Sequence, residues 1–529
     1  MSGVKYLDWF DWCVFGGMLL LSSAIGVYFA FFSKKKQDTT SEYLMGGRTM
    51  PIFPISMSLI ASYISGITLL GTPAEIYVYG SQAYMGVISD ILTNITIVIV
   101  YLPVFFKLQV TSSYESLYLK EFEINYNFET FPILYLQGGL KAVVWADTLQ
   151  MFLMMGGIVV VLIIGIVKVG GLGIVYDRAV ETSRAEFFNT DLDPTVRHTL
   201  WNMLLGNYVY HVATMAVNQC MVQRCLSVSS IRHAKCWHFC IVTLCTLTGF
   251  VMHAYFFDCD PIKSKKISKA DQLLPYFVME TSTIMPGLPG IFLSGVFSAA
   301  LSTMSTGLNS MTGVIFEDMI EPWTGGLSER ATGRVLKLVV VLIGILCVSM
   351  VFVVEQLGTL FQMTKSLLGI TNGPLLGLFT LGMFFPSANA FGALVGGITA
   401  LCTMGWISLG AQSVISKGLI KFPTKSVNVS GCKEPLDHLF TPTAPSILTL
   451  ESNLEVAMEP LYMFRISYMW YGLIGLFITI SVGLLVSNLR PDSKKVDRDL
   501  LSPVTYRFLN GVELIAVDSK LKKSGEKCS

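Results

Sequence analysis

Charged residues are scarce in this chain: Asp, Glu, Lys and Arg make up only 14% of its 529 residues. A soluble globular protein carries roughly 25%. The sequence has no phosphate-binding loop, nucleophile elbow or catalytic carboxylate pair, which argues against an enzyme. Its net charge of +1 gives no indication of nucleic-acid binding, and we expect no nucleic acid as a partner. These absences exclude most soluble function classes.

Hydrophobic residues form 52% of the chain, and the mean hydropathy is +0.59. Several apolar runs reach the roughly 20 residues that cross a bilayer as a helix. The sequence therefore predicts an all-α polytopic membrane protein, surrounded by lipid, with about eleven transmembrane helices. We predict these spans at residues 9–32, 52–79, 86–106, 143–168, 200–220, 237–257, 285–312, 338–355, 359–385, 389–409 and 463–487.

Basic residues in the short loops indicate the orientation of the chain. Lysines and arginines follow spans one, five, seven and eleven, which all end on one side if the N-terminus is outside and the C-terminus inside. Residues 1–487 then form the transmembrane domain, 410–462 an extracellular loop and 488–529 a cytoplasmic tail. We expect this protein in the plasma membrane.

Two features mark the predicted extracellular segments. Asn428 begins an N-glycosylation sequon, Asn428-Val429-Ser430. Cys432 in the same loop and Cys259 in another could form a disulfide, and the sequence leaves this pairing open.

Span seven contains an unusual run of hydroxyl side chains, within LSGVFSAALSTMSTGLNS at residues 293–310. One interpretation is close helix packing, because small residues let membrane helices approach each other. The other is a site for a hard cation such as Na+, which prefers oxygen ligands. In that case, the adjacent hydroxyls of Ser302 and Thr303 would supply two ligands.

Spans two and five contain residues that favour a break in a membrane helix. Span two carries Ser65-Gly66 and Pro73, and span five carries Gly206-Asn207 and Asn218-Gln219. A break frees backbone carbonyls at membrane depth. A pair of interrupted helices is the best sequence indication of a transporter binding site.

Six segments in order carry a resemblance to a known family. They are SLIASYISGITLLGTPAEIYVYG, GGLKAVVWADTLQ, VNQCMVQR, DCDPIKSKKISKADQLLPYFVM, SGVFSAALSTMSTGLNSM and GPLLGLFTLGMFFPSANAFGALVGG. With them the chain resembles the sodium/solute symporter family, in the branch of sodium-coupled monocarboxylate, multivitamin and iodide transporters. The resemblance implies the LeuT-type fold of two inverted five-helix repeats.

The same resemblance implies a function. We expect Na+-coupled symport of a small organic anion by alternating access, with Na+ as the coupling ion. A monocarboxylate is favoured as substrate over a vitamin such as pantothenate or biotin. The sequence leaves the oligomeric state open.

The family's sodium site is carried over residue by residue. It comprises the backbone carbonyls of Ala61, Ile64 and Ala299 and the hydroxyls of Ser302 and Thr303. Neutral oxygens suit a monovalent ion that must be released again.

The resemblance also implies a substrate pocket beside Ser65, Thr68 and Asn218. Asp147 matches an acidic residue on the sodium exit route. An interfacial carboxylate that extends to the membrane surface is the alternative for Asp147.

Lys365 stands out by composition alone, because it lies about 12 Å into span nine at 1.5 Å per residue. An ionisable residue within the membrane suggests a functional role. We expect it to face the outer vestibule and attract a substrate carboxylate. The alternative is a side chain that extends to the outer surface.

The chain departs from the family between TSSYESLYL and GGLKAVVW. Family members have about thirteen spans in all, and two of these lie between the two segments. This chain lacks both, so about 50 residues are absent there. EINYNFETFPILYLQ, near 120–137, stands in place of the third and fourth core helices. The alternative function is therefore a truncated, non-transporting family member that acts as a regulator or is an inactive splice form.

Overall fold

The computed structural model of the chain describes most of the predicted spans. The described residues are 7–28, 53–54, 57–58, 61, 66–108, 139–218, 221, 232–281, 285–324, 329–354, 360–432, 460–491 and 500–508. All regular structure within these ranges is helical, as predicted. Ile64, Ser65 and the segment of the predicted deletion near 120–137 lie outside them.

The described α-helices follow the predicted order. They are α1 Trp9–Val27, α2 Gly66–Tyr79, α3 Gly86–Thr96, α4 Leu102–Leu108, α5 Gly139–Val169, α6 Leu172–Glu181, α7 Asn207–Val212, α8 Arg232–Tyr255, α9 Leu273–Thr281, α10 Leu288–Val314, α11 Glu321–Thr324, α12 Glu329–Val354, α13 Leu360–Phe384, α14 Ala390–Ser416, α15 Tyr462–Arg465 and α16 Tyr471–Leu489. Single 3-10 and π-helical turns join several of them, so that α3, for example, continues through the π turn Ile97–Tyr101 into α4.

Five stretches of described helix are long and apolar enough to cross a membrane. They are Ser81–Phe105, Asp147–Val169, Phe361–Phe384, Ala390–Ser416 and Tyr468–Leu489. Shorter apolar stretches lie at Trp9–Ser22, Phe239–Tyr255, Leu288–Ala300 and Leu338–Phe352. Each of these nine stretches coincides with a predicted span. The two predicted spans left over, 52–79 and 200–220, are those in which the sequence predicts an interruption.

Span five is irregular on both sides of α7. The backbone forms π-helical turns at Asn202–Gly206 and Ala213–Val217. At Asn218 it becomes extended, with φ −72° and ψ 123°. The helical path therefore ends at the second of the two predicted break positions in this span, and π-helical turns of this kind are frequent at functional sites.

The first third of α5 lies beside the beginning of predicted span two. There the Thr148 hydroxyl lies 3.3 Å from the carbonyl oxygen of Pro54, which precedes α2.

Close helix packing divides the described bundle into two groups. α13 and α14 both pack on α16, while α5 packs on α10 and α8 packs on α2. Glycine is required at the first group: a Cβ on Gly396 would lie 2.6 Å from the carbonyl oxygen of Thr479, and one on Gly373 would lie 2.3 Å from that of Gly472. In lipid the hydrophobic effect does not drive helices together, and small residues stabilise their association because they allow close packing. Among the described helices, α12 packs chiefly against α10.

A disulfide joins Cys259 to Cys432, with their Cα atoms 5.0 Å apart. The sequence leaves this bond open, and the structure forms it. Nearby, the buried Arg184 donates hydrogen bonds to the carbonyl oxygens of Tyr77 at 2.7 Å and Ser426 at 2.8 Å. Burial lowers the pKa of Arg184 to about 10, so it stays charged at neutral pH. We call this end of the molecule the disulfide end.

Candidate functional site

Three of the five predicted sodium ligands, Ala61, Ala299 and Thr303, are among the described residues. Ala61 and Ala299 are each 4% exposed and belong to one buried apolar cluster with residues of α5 and α8. The Thr303 hydroxyl donates to the Ala299 carbonyl oxygen at 3.0 Å. Both oxygens still have a lone pair for a cation. Ile64 and the side chain of Ser302 lie outside the described part of the structure.

Asp147 is directed into the protein. Its side chain is 2% exposed, and the Ser58 hydroxyl donates a 2.6 Å hydrogen bond to its Oδ2. Ser58 belongs to predicted span two, close to Ala61. The alternative of a carboxylate that extends to the membrane surface does not describe this position.

The predicted substrate residues are placed differently from one another. Thr68 is half-buried in α2, and Asn218 is exposed where span five ends. Ser65 lies outside the described residues. The ammonium of Lys365 contacts Asn207 and Tyr210. A substrate pocket beside Ser65, Thr68, Asn218 and Lys365 stays a prediction.

Lys365 belongs to α13, and its side chain projects toward α7. Its Nζ donates to Asn207 Oδ1 at 3.3 Å and lies 3.5 Å from the centre of the Tyr210 ring. This placement does not fit the alternative of a side chain that extends to the surface. Among the described residues, no carboxylate lies within ion-pair distance of this ammonium.

The amide of Asn207 links Lys365 to α3. Its Nδ2 donates to Ser89 Oγ at 2.8 Å and to the Gly86 carbonyl at 3.3 Å. These two acceptors fix the orientation of the amide group, so that its Oδ1 is directed at Lys365. A Cβ on Gly86 would lie 2.7 Å from Nδ2, so glycine is needed for this approach.

A pair of ionisable side chains, Asp90 and His211, lies one turn further along α7. His211 Nε2 is 3.2 Å from Asp90 Oδ1, and the two side chains are only 12% and 14% exposed. Residues 207 and 211 are four apart, so they share one face of the helix. We call the combined group from α3, α7 and α13 the Lys365 cluster: Asp90, Asn207, Tyr210, His211 and Lys365. The sequence analysis identified only its lysine, although Asp90 and His211 also are ionisable residues within predicted spans.

A separate buried network lies around Arg197, just before span five. Its Nε and Nη2 donate to the two carboxylate oxygens of Glu75 at 2.7 and 3.0 Å. Its Nη1 donates to Gln362 Oε1 at 2.6 Å. Its guanidinium carbon lies 4.0 Å from the centre of the Tyr79 ring. The sequence analysis missed this network, for which Glu75 inside predicted span two was the available signal.

His198 completes the Arg197 network, which we define as Glu75, Arg197, His198, Gln362 and Tyr468. Its Nε2 lies 2.8 Å from the Tyr468 hydroxyl and 3.5 Å from Glu75 Oε1. Burial, followed by the charges of Arg197 and Lys365, holds the pKa of His198 well below its usual value. Burial alone would lower the pKa of Arg197, but Glu75 reverses this and raises it. The network therefore contains one ion pair and a neutral imidazole.

Asn428, the predicted glycosylation residue, is exposed at the disulfide end. Its Oδ1 accepts a 2.9 Å hydrogen bond from the Ser430 backbone.

Comparisons with known proteins agree on one family. The model of the sodium:solute symporter family matches residues 43–119 and 124–400. The chain is 34% identical to sodium-coupled monocarboxylate transporter 2 of Mus musculus, over 96% of the chain and 88% of the relative. It is 33% identical to sodium-coupled monocarboxylate transporter 1 of Homo sapiens and 33% identical to the putative sodium-dependent multivitamin transporter of Drosophila melanogaster, in each case over 90% of the chain and 86% of the relative.

One solved structure has the same architecture. It is a Na+-coupled sialic acid symporter in a substrate-bound outward-open state, with a TM-score of 0.66 and 20% identity. The match covers 92% of this chain and 100% of that chain. This likeness concerns the fold, and it confirms the predicted LeuT-type architecture.

Proposed function

We propose that this chain, which belongs to the sodium:solute symporter family and is not an enzyme, transports a small organic anion across the membrane together with Na+. A monocarboxylate is the first choice, and a vitamin such as pantothenate or biotin is the second. Its relatives include a sodium-coupled monocarboxylate transporter and a putative sodium-dependent multivitamin transporter.

The observation that carries this proposal is the environment of Lys365. Its ammonium lies among membrane helices against an amide oxygen and an aromatic ring, without a described carboxylate as counter-ion. A charge away from water is costly unless it is paired. A substrate carboxylate would supply the missing charge.

The sodium route follows from the same proposal. We assign the ion to the carbonyls of Ala61, Ile64 and Ala299 and the hydroxyls of Ser302 and Thr303. Asp147 would receive it on the way out, which is supported by its burial and its bond to Ser58.

We further propose that the chain lies in the plasma membrane with the N-terminus outside and the C-terminus inside. The loop 410–462 is then extracellular, Asn428 is glycosylated, and residues 488–529 form the cytoplasmic tail. The exposure of Asn428 beside a disulfide supports this orientation, since disulfides persist in the oxidising extracellular space.

A second candidate is a non-transporting regulator or inactive splice form that lacks two core helices near 120–137. The family match is interrupted between residues 119 and 124. The alignment with the mouse relative runs over 556 positions, more than the 529 residues of the chain.

Radiolabelled uptake separates the two candidates. Cells that express the chain are given lactate or butyrate in Na+ and in choline medium, with surface biotinylation to verify delivery. We expect Na+-dependent uptake that the double substitution Ser302→Ala/Thr303→Ala abolishes. A chain that reaches the surface without Na+-dependent uptake of any anion would support the regulator instead.

A further inference from the structure

We infer that residues 500–508 form a clasp, a segment beyond the last membrane helix that binds across α13 and the α3–α4 helix and holds them together. These two helices separate at that face of the membrane only after the clasp has been released. The bound segment is part of the structure, whereas its release as a step of transport rests on the proposed function.

The clasp lies at the face of the bundle opposite the disulfide end. Helix α13 ends at Phe384, α14 begins at Ala390, and after 27 residues α14 ends at Ser416, ahead of the loop that carries the disulfide. At 1.5 Å per residue α14 rises about 40 Å, which is enough to cross the membrane. The last turn of α13, where the clasp binds, therefore lies at the opposite face, which is cytoplasmic in the proposed orientation.

Two hydrogen bonds from one residue join the clasp to both helices. The backbone N–H of Ser502 donates to the carbonyl oxygen of Met383, in the last turn of α13, at 3.0 Å. The hydroxyl of Ser502 donates to the carbonyl oxygen of Val100, in the π turn between α3 and α4, at 3.1 Å. Ser502 is fully buried, and hydrogen bonds are stronger in the low dielectric of the protein interior than in water. A single residue thus bridges two helices.

The acceptor on the α3–α4 helix lies where the helical hydrogen-bond pattern is irregular. Residues Ile97–Tyr101 form a π turn. Pro103 follows in α4 and has no N–H to donate to the carbonyl oxygen of Ile99, four residues earlier. Helices at membrane depth need other partners at such irregularities. The Ser502 hydroxyl is one of these partners, at Val100.

The clasp has a buried face and an exposed face. Leu501 is fully buried and Leu500 is 9% exposed, whereas Val504 is 40% exposed. Thr505 closes the turn between them, because its backbone N–H and its hydroxyl both donate to the Ser502 carbonyl oxygen, at 2.9 and 2.7 Å. The 3-10 turn that begins at residue 503 packs on the π turn of the α3–α4 helix. The apolar area buried by the two leucines stabilises the bound segment.

The two helices also contact each other beside the clasp. Tyr101 and Thr380 share a hydrogen bond of 3.4 Å between their hydroxyls. Residues of both helices, among them Phe105 and Phe379, belong to one buried apolar cluster. The clasp adds a small interface to this contact, so it can unbind while the helices stay folded.

Bridging gives the clasp a preference between conformations. Both acceptors of Ser502 are fixed to their own helices, so movement of α13 away from the α3–α4 helix breaks at least one of the two bonds. The clasp therefore stabilises the conformation in which these helices are in contact, and its release favours a conformation in which they are apart. Alternating access requires helices to part at each face in turn. The clasp opposes this opening at its own face.

Hydrogen–deuterium exchange of the purified full chain in nanodiscs tests the binding of the clasp. Leu501→Asp places a carboxylate at the buried position, which is costly. Val504→Asp places the same charge at an exposed position of the same segment and is the matched control. We expect Leu501→Asp to accelerate exchange in the peptides of the clasp and of the π turn by about tenfold or more, and Val504→Asp to keep the wild-type rate.

Cysteine labelling tests whether the clasp holds the helices together. Thr380→Cys introduces a thiol at the contact with Tyr101, and its reaction with a maleimide is followed by peptide mass spectrometry, which distinguishes it from the free cysteines of the chain. We expect Leu501→Asp to raise the labelling rate about fivefold or more. Ser502→Ala, which removes only the bond to Val100, should raise it about twofold. Val504→Asp should label at the wild-type rate.

Wild-type exchange of the clasp in Leu501→Asp would overturn the inference. Faster exchange of the clasp with unchanged labelling of Thr380→Cys would also overturn it, because the segment would then bind without holding the helices. Peptides of α14 and α16 report general unfolding. If these also exchange faster in Leu501→Asp, the labelling of Ser502→Ala decides, and a wild-type rate there refutes the clasp. Neither readout uses Na+ or a substrate, so failure of the proposed symport, measured by uptake, is distinguishable from failure of the clasp.

Discussion

Arg197, which is buried, and Lys365, which is half-buried, are two basic residues of the helix bundle with opposite surroundings. Arg197 is bound by both oxygens of Glu75 and by Gln362, and aromatic rings cover its guanidinium. Lys365 has one amide oxygen and the faces of aromatic rings. Arg197 has an ion pair with a described carboxylate, whereas no described carboxylate lies within ion-pair distance of Lys365, and Asp90 in the Lys365 cluster contacts His211 instead.

From this difference we infer that the charge of Arg197 stabilises the fold and that the charge of Lys365 binds a ligand. Removing one partner of a buried ion pair leaves the other charge uncompensated, so substitutions in the Arg197 network should strongly destabilise the fold. A half-buried ammonium without a direct ion pair keeps part of its desolvation cost, which a bound carboxylate would offset. Substitutions in the two regions should therefore affect different properties.

The largest expected effect is on stability, from Glu75→Gln. It leaves the buried Arg197 without its carboxylate, which should cost about 3–5 kcal/mol. We expect a markedly lower melting temperature in detergent and less protein at the cell surface. Glu186→Gln is the control, because it breaks an ion pair with Lys425 in which Glu186 is 52% exposed, and such pairs contribute at most about 1 kcal/mol. Equal melting of Glu75→Gln and wild type would contradict a structural role.

Lys365→Met should show the converse pattern. Binding of carboxylates should fall by about tenfold or more, while the melting temperature should fall less than that of Glu75→Gln, because the substitution breaks a hydrogen bond to Asn207 and no described ion pair. Thermal melts with and without butyrate measure both properties in one experiment. A melting temperature that falls as far as that of Glu75→Gln would remove the contrast between the two residues.

A smaller effect is expected from pH, through His198. Its pKa in the folded protein lies well below the usual 6.5, so below pH 6.5 the unfolded chain binds a proton that the folded chain does not. The contribution of His198 to stability is thus complete above pH 6.5 and is lost as the pH falls, by at most about 1.4 kcal/mol per pH unit. Melting temperatures of the wild type and His198→Gln between pH 7.5 and 5 should diverge accordingly. Parallel curves would show that His198 is not held neutral.

The smallest effect is expected from Gly86→Ala. The added Cβ would lie 2.7 Å from Asn207 Nδ2 and push the amide away from Ser89, which moves the acceptor of Lys365. The contact is with the end of a side chain that can shift, so carboxylate affinity should fall only about threefold, less than ~1 kcal/mol. Gly156→Ala is the control, because a Cβ there meets nothing within 4 Å. Identical affinities of the two variants would show that Asn207 does not position the lysine.

The membrane spans could be predicted because apolar length alone indicates them. Nine of the predicted spans coincide with apolar helical stretches, although α14 continues past the predicted end at 409 to Ser416. The break at Asn218 was also predictable, since polar residues interrupt an apolar run there. These are properties of local sequence.

The side-chain partners could not be predicted, because they depend on how the helices are rotated and packed. Glu75 and Arg197 are 122 residues apart in sequence, and nothing local pairs them. Composition identified Lys365 as an ionisable residue within a span. Whether its side chain extends to the membrane surface or contacts Asn207 depends on how α13 packs on α7. Asp147 posed the same problem, which its bond to Ser58 resolves.

The bond between Cys259 and Cys432 has a mechanical consequence. It ties the loop after α8 to the loop after α14, and the backbone of Lys425 in that second loop donates to the carbonyl oxygen of Val78 at the end of α2. Two helices of one group are thereby fastened at the same end to a helix of the other. Any tilting between the groups must pivot about this tie, so the displacement grows along the helices and is greatest at the opposite face of the membrane.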